Sequence, residues 1–257
     1  MPDIKASVQG QFQHAAENYR TSTVHSAGED LDMIRQLVSA YNPQRVLDAG
    51  CGAGHTAVAV APYAGEVIAF DLTPNMLAQV EVLAREKSLE NISVRQGDVE
   101  AMPFEDDSFD TVVTRYSAHH WPNLLTALQE CARVLKPSGR LIISDVIAPE
   151  DAARDTFLQT IELLRDPSHV RDHSVQQWKA LLTEAGFKAD VVKLWQLPLN
   201  FDEWVTRINT PALNVEMLKS LFDGASSEIR NAMQLREQYD FTIYGALFQA
   251  MKSSSAG

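Results

Sequence analysis

The chain has 257 residues, of which 45% are hydrophobic and 22% charged, and its 34 Asp plus Glu against 22 Lys plus Arg leave a formal net charge of -12. Those proportions exclude a largely disordered chain. The acidity, with no two Lys or Arg residues adjacent anywhere, argues against nucleic acid or an anionic membrane surface as a partner.

The length suits one α/β domain with an elaboration. No stretch approaches the roughly 18 apolar residues of a membrane helix, and the N-terminus lacks the pattern of a secretory leader, so no membrane span and a cytoplasmic location are expected. The two cysteines, Cys51 and Cys131, have no disulfide or zinc spacing and read as thiols. Oligomeric state stays open between monomer and homodimer.

In chain order, residues 1–40 read as helical with an interruption and stand before the first strand, as an N-terminal helical lid over a ligand crevice would. From residue 45, short β-rich runs alternate with helical ones: RVLDAG, EVIAFD, ISVRQGD, FDTVVTRYS and GRLIISDVIA, with helices such as PNMLAQVEVLAREKS and NLLTALQECARVL between them. Strands apolar at consecutive positions are buried on both faces, which predicts an α/β fold with a doubly wound, mostly parallel sheet. Thr73 reads as an N-cap before Pro74.

After residue 148 the rhythm becomes helical. Elaborations are expected at about 149–186, ending on Gly186 as a C′ residue, and at about 201–239, in two helical stretches near 202–222 and 226–239. FTIYGALFQAM reads as a last strand, favoured by Phe, Thr, Ile and Tyr. The main domain thus runs over 41–253, and 254–257 form a disordered tail.

The strongest local signal is VLDAGCGAGHT, a buried strand ending in Asp48, then Gly50, Gly52 and Gly54 at alternate positions. Such a loop lets a ligand touch backbone. Its spacing differs from the dinucleotide fingerprint G-x-G-x-x-G, and the acid before it disfavours a phosphate. At the end of the second strand Asp71 can accept both hydroxyls of a ribose, which suits NAD and an adenosyl group alike. Gly97, Asp98 and Val99 end the third strand, where a carboxylate beside an apolar residue can take an adenine amine and pack the ring. Acids without a basic residue in the loop point to a cationic, phosphate-free nucleoside.

Together, D-x-G-x-G-x-G, Asp71, the Gly97-Asp98 pair, FEDDSFDTVV and VLKPSGRLIISD resemble the class I S-adenosylmethionine-dependent methyltransferases, most strongly over residues 40 to 148. Within them the chain is similar to the small-molecule branch called methyltransferase type 11, related to the ubiquinone/menaquinone methyltransferases. QFQHAAENYRTSTVHSAGEDL and LLRDPSHVRDHS extend the resemblance to most of the chain, although the Y-D-x-M-N motif of the quinone enzymes is absent.

The resemblance implies a seven-stranded sheet in the order 3-2-1-4-5-7-6 with the last strand antiparallel. It implies S-adenosyl-L-methionine as cofactor, S-adenosyl-L-homocysteine as product, and a small-molecule acceptor methylated on O, N or C. Asp48, Gly50, Gly52, Gly54 and His55 would hold the methionine part and Asp71 the ribose. Leu72 and Met76 would pack on the adenine, Gly97, Asp98 and Val99 would meet its edge, and Arg115 would lie under the sulfonium side.

Two alternatives are an NAD-dependent oxidoreductase and a cofactor-binding protein without turnover. An activated methyl needs few catalytic groups beyond positioning and a base, so catalytic candidates are His119, His120, His25 and Tyr19, with Tyr116 and Asp145 behind them. His119 and His120, in RYSAHHWP, follow the fourth strand. In extended chain the two would point to opposite sides, leaving one for the substrate. Phe12, Tyr19, Trp195, Trp204 and Arg207 are expected around an acceptor pocket, with plain core packing the competing reading for the tryptophans. No metal is expected, because adjacent histidines do not converge on one ion and HVRDH lacks the Glu of H-E-x-x-H.

Overall fold

The structure, a computed structural model, describes residues 3–21 and 27–253; the side chains of residues 14, 15, 17–19 and 21 lie outside that description. Helix α1 spans Ile4–Thr21 and α2 spans Glu29–Tyr41. There follow β1 (Arg45–Ala49), α3 (His55–Val60), β2 (Glu66–Asp71), α4 (Pro74–Glu86), β3 (Ile92–Gln96), β4 (Phe109–Arg115), α5 (Leu124–Val134) and β5 (Leu135–Ala148). Then come α6 (Ala152–Arg165), the two-residue β6 (His173–Ser174), α7 (Val175–Glu184), β7 (Phe187–Leu199), α8 (Phe201–Arg207), α9 (Ala212–Asp223), α10 (Ser227–Ala232) and β8 (Phe241–Lys252).

The sheet runs β3-β2-β1-β4-β5-β8-β7, with β6 on the end of β5. β1 to β5 pair in parallel, and β8 is antiparallel to both its neighbours. That is the expected order with the short β6 added. Consecutive apolar residues alternate between faces: Leu47, Ile68, Val112 and Ile143 pack with α5 and α7, whereas Val46, Val67, Val113 and Ile142 pack with Ile34 and Val38 of α2 and Val80 of α4. A strand buried on both sides has no polar face, so its polar residues collect at its end.

Two local expectations need correction. The stretch near 202–222 divides into α8 and α9 at Asn209, whose φ is +57, and Pro211, which has no N–H to continue a helix. The stretch near 226–239 stops at Ala232 and resumes only as a single 3-10 turn at Glu237–Tyr239, after Gln234 at φ +48. Gly186 does take the left-handed C′ position, at φ +86. Thr73 takes the N-cap position of α4 without capping it through its side chain, which hydrogen-bonds Asp71 instead. The tail 254–257 lies outside the described residues.

The N-terminal segment has two parts with different roles. α2 belongs to the core and places Asp30, 4% exposed, against Arg115 at the end of β4. Arg115 Nε donates to Asp30 Oδ2 at 2.5 Å and Nη2 to Oδ1 at 3.1 Å, while Ser144 of β5 donates its hydroxyl to Oδ2 at 3.0 Å. α1 instead lies over the carboxyl ends of the strands. Asp30→Ala, which leaves the buried guanidinium without this bidentate partner, is expected to lower the unfolding free energy by about 3–5 kcal/mol in urea titrations.

Candidate active site

A cavity opens where the ends of β1, β2, β3 and β4 meet under α1. The strand-to-helix loops there supply backbone and short side chains. Gly50 sits at φ +68, and a Cβ on it would stand 2.0 Å from Ser117 Oγ, so the loop after β4 excludes any side chain. Gly52 sits at φ +51 with nothing within 4 Å of such a Cβ; its bare face is cavity.

Asp48 is 1% exposed and its Oδ2 has no hydrogen-bond partner among the described residues. Burial, opposed by the Ala57 amide and reinforced by the charge of Asp71, raises its pKa to about 7. A buried carboxylate oxygen with no donor is costly.

Asp71 turns one oxygen to each side of the loop: Oδ2 accepts the Gly52 N–H at 2.9 Å and Oδ1 the Thr73 N–H at 2.8 Å. Burial raises its pKa against those donors. Asp98 accepts from Lys5 Nζ at 2.6 Å, and Lys5 also reaches Glu100 at 2.6 Å, which fastens α1 across the end of β3. Lys5, Val8 and Phe12, on one face of α1, line the cavity, and Gln9 Nε2 donates to the Leu72 carbonyl at 2.9 Å.

Of the residues anticipated around the cofactor, Gly50, Gly52, His55, Asp71, Leu72, Met76, Gly97, Asp98, Val99 and Arg115 line this cavity. Asp48 and Gly54 stand behind the wall, Gly54 at φ +90 against Val80. The guanidinium of Arg115 is engaged by Asp30, a residue that sequence reasoning missed. Nothing in GEDLDMI distinguishes Asp30 from its acidic neighbours before folding. Lys5, Ser117 and Trp121, whose Nε1 donates to Ser117 Oγ at 3.2 Å, were missed for the same reason.

His119 and His120 lie in a 3-10 turn, Ala118–His120, rather than in extended chain. The expectation that they point to opposite sides is therefore corrected: a 3-10 turn advances about 120° per residue, and the rings lie side by side with centroids 4.3 Å apart. Both face a second, smaller cavity, and His120 with Tyr116 lines the first one as well. Phe12 of α1 meets the His120 ring edge-on at 4.9 Å. Tyr116 holds φ +48, a conformation that turns the chain sharply at the junction.

The two imidazoles have opposite chemistry. His119 Nδ1 lies 2.6 Å from Asp145 Oδ1, and the same carboxylate accepts the His119 N–H at 3.2 Å. Burial opposes its charge, but the charge and hydrogen bond of Asp145 prevail and lift its pKa to about 9. His120 Nδ1 faces the Ser168 carbonyl at 3.1 Å, an acceptor only, so Nδ1 carries the proton and Nε2 the lone pair. Burial and then the positive charge of His119 lower its pKa to about 4.

His169, packed 5.8 Å from the His119 ring, is lowered to about 2 by burial and its two histidine neighbours. Among the described residues no group of three or more His, Cys, Asp or Glu is placed to hold a metal. His25 lies outside the described residues, as does the side chain of Tyr19. Trp204 and Arg207 line the second cavity, while Trp195 lies beside Tyr116 in a separate groove.

The fold and this geometry agree with known proteins. Residues 47–143 match the model of a methyltransferase domain. The chain is 38% identical over 246 residues to the uncharacterized methyltransferase YcgJ of Bacillus subtilis (strain 168), covering 94% of this chain and 97% of that one. The chain belongs to the class I S-adenosylmethionine-dependent methyltransferases. It is an enzyme of that family with the family's Rossmann-like sheet. The crystal structure of YcgJ superimposes with a TM-score of 0.84 at 37% identity, over 88% of this chain and 99% of that one. The uncharacterized protein YafE of Escherichia coli (strain K12) is 41% identical over 205 residues, 80% of this chain and 99% of its own. Among the described residues no helix is long and apolar enough to cross a membrane.

Two outcomes test the electrostatics. The folded pKa of Asp48, about 7, lies above the ordinary 3.8, so its destabilising effect is absent below pH 3.8, grows across that window and is constant above pH 7. Asp48→Asn is therefore expected to raise the stability of the ligand-free protein at pH 8 by up to roughly 4 kcal/mol, with little change at pH 4, in urea unfolding. For His119, NMR titration is expected to give a pKa near 9, falling to about 6.5 or below in Asp145→Asn.

Proposed function

We propose that this methyltransferase transfers the methyl group of S-adenosyl-L-methionine to O, N or C of a small-molecule metabolite by in-line displacement, leaving S-adenosyl-L-homocysteine. The observation that carries the reading is the unpartnered, buried Oδ2 of Asp48 beneath a cavity bordered by Asp71 and Asp98. These carboxylate acceptors suit a ligand whose donors are an ammonium group, ribose hydroxyls and an exocyclic amine. It opposes NAD, whose pyrophosphate would face carboxylates at the glycine loop.

Asp48, with the loop of Gly50, Gly52, Gly54 and His55, would hold the methionine part, and Asp71 the ribose hydroxyls. Leu72 and Met76 would pack on the adenine, with Gly97, Asp98 and Val99 at its edge. Arg115, neutralised by Asp30, would shape the floor near the sulfur without repelling a sulfonium. Bound, the cofactor supplies a methyl group already activated on a cationic sulfur, so the protein's tasks are alignment, exclusion of water and removal of the acceptor's proton.

His120 is the better base of the pair. It borders both cavities, its Nε2 carries a lone pair at neutral pH, and the acceptor's proton would pass to that nitrogen. His119, held as imidazolium by Asp145, keeps His120 neutral and orders the turn. α1 acts as the lid: Lys5 fastens it, and Phe12 closes the edge of His120. The N-terminal lid is thus α1, with α2 a wall of the domain itself.

Isothermal titration of S-adenosylhomocysteine tests the cofactor assignment. Binding is expected, with Asp71→Ala weakening it roughly ten- to hundredfold through the loss of charge-assisted hydrogen bonds. His120→Ala is expected to leave that affinity within about twofold and to lower kcat about 10²–10⁴-fold with an acceptor whose nucleophile must lose a proton. No binding of the cofactor product by the wild-type chain would overturn the reading.

A further inference from the structure

The segment that follows α6 wraps the histidine turn. The His119 carbonyl accepts the N–H groups of Val170 and Arg171 at 2.9 and 3.1 Å, and His120 Nδ1 donates to the Ser168 carbonyl at 3.1 Å. Gln159 of α6 braces the segment from outside. Its Oε1 accepts from His169 Nε2 and from the Asp172 N–H, each at 3.1 Å, while its Nε2 donates to the Asp172 carbonyl at 2.8 Å.

Asp166 begins this segment as the C-cap of α6. Its Oδ1 accepts the Ser168 N–H at 2.8 Å and the Ser168 hydroxyl at 2.6 Å. Its Oδ2 is buried, has no hydrogen-bond partner among the described residues, and stands 3.9 Å from His120 Nε2. The whole side chain is 2% exposed. That placement is costly on two counts: the oxygen has lost its hydration without gaining a donor, and the carboxylate sits at the negative end of the α6 dipole.

We propose that Asp166 is the counter-ion of the His120 imidazolium, in place before the acceptor's proton arrives. The inference rests on the assignment of His120 as base. In that step the proton on the acceptor's nucleophilic atom passes to His120 Nε2, the electron pair left behind forms the bond to the methyl carbon, and the pair of the broken S–C bond stays on sulfur. The positive charge thus leaves the sulfonium and appears on His120.

His119 already carries a positive charge beside it, the two ring centroids being 4.3 Å apart. Two adjacent imidazolium ions need two carboxylates. Asp145 of β5 serves His119 at 2.6 Å. Of the other charged groups around the second cavity, Glu162 is paired with Arg165 at 3.3 Å, burial pushes Asp172 toward its neutral form, and Arg165 and Arg207 are themselves cations. His169, beside both rings, is held neutral by burial and by their charges. Asp166 is what remains. At 3.9 Å it is too far for a hydrogen bond, so it leaves the Nε2 lone pair to the acceptor and acts on the reaction only through His120.

The test is an NMR titration of the full chain, labelled with nitrogen-15 in histidine and saturated with S-adenosylhomocysteine. It is run in a His119→Gln background, where removal of the neighbouring positive charge raises the His120 pKa from about 4. Asp166→Asn keeps an Oδ1 acceptor for Ser168 and removes the charge; Asp166→Ser removes the charge with a smaller side chain. Each is expected to weaken proton binding at His120 about tenfold or more. Ser168→Ala disturbs the same segment but keeps the charge, and is expected to leave proton binding within about threefold. Unchanged or stronger proton binding in the Asp166 variants, or a loss equally large in Ser168→Ala, overturns the inference. If His120→Ala keeps full turnover, the base assignment fails, and the titration still decides whether Asp166 is the counter-ion of that ring.

Discussion

The ion pair between Asp30 and Arg115 is the constraint on which the site depends. Arg115 ends the central strand β4, and its side chain is 3% exposed. A guanidinium so placed has to be neutralised, and α2 brings the carboxylate that does so. Ser144 ties the same carboxylate to β5. One interaction thus docks α2 on the sheet and neutralises the guanidinium at the cavity floor. Around the glycine loop the side chains are acidic, Asp48 and Asp71, while Asp98 is paired with Lys5 of α1.

A parallel sheet covered on both faces leaves its strand ends as the place where polar groups can gather. β1, β2 and β3 deliver Asp48, Asp71 and the segment around Asp98 to one rim, and β4 and β5 deliver Arg115 and Asp145 beside them. The adjacent histidines show how strongly local partners then decide chemistry. Residues of one type, one position apart, differ in pKa by several units because one ring faces the Asp145 carboxylate and the other a carbonyl and its charged neighbour. Neither ring could serve the same role with its partner exchanged.

Much of the fold was legible from residues 45 to 148, because alternating β-rich and helical runs at this spacing admit few topologies and because glycine and acid recur at fixed points of the rhythm. Gly50, Gly52, Asp71 and Asp98 could be read in advance, since each stands at the end of a strand where backbone geometry fixes its direction. The elaboration after 148 was less legible. Asn209 and Gln234 break helices through left-handed backbone that their residue type permits but does not demand. Lys5, Asp30, Glu162 and Arg165 gave no signal, because a charged residue on an amphipathic helix looks the same whether it meets water or a buried partner.

By itself, then, the sequence determined the alternation of strands and helices over 45–148 and the glycine loop with its acids, because these follow from short-range steric limits and from which runs can be buried on both faces; the order of strands in the sheet came only with the family resemblance. The tertiary structure alone decided that α2 neutralises Arg115 and that His119 is charged beside a neutral His120. It also decided that α6, α8 and the end of β7 enclose a second cavity. Those outcomes depend on distances between segments tens of residues apart, and on the desolvation that only packing creates.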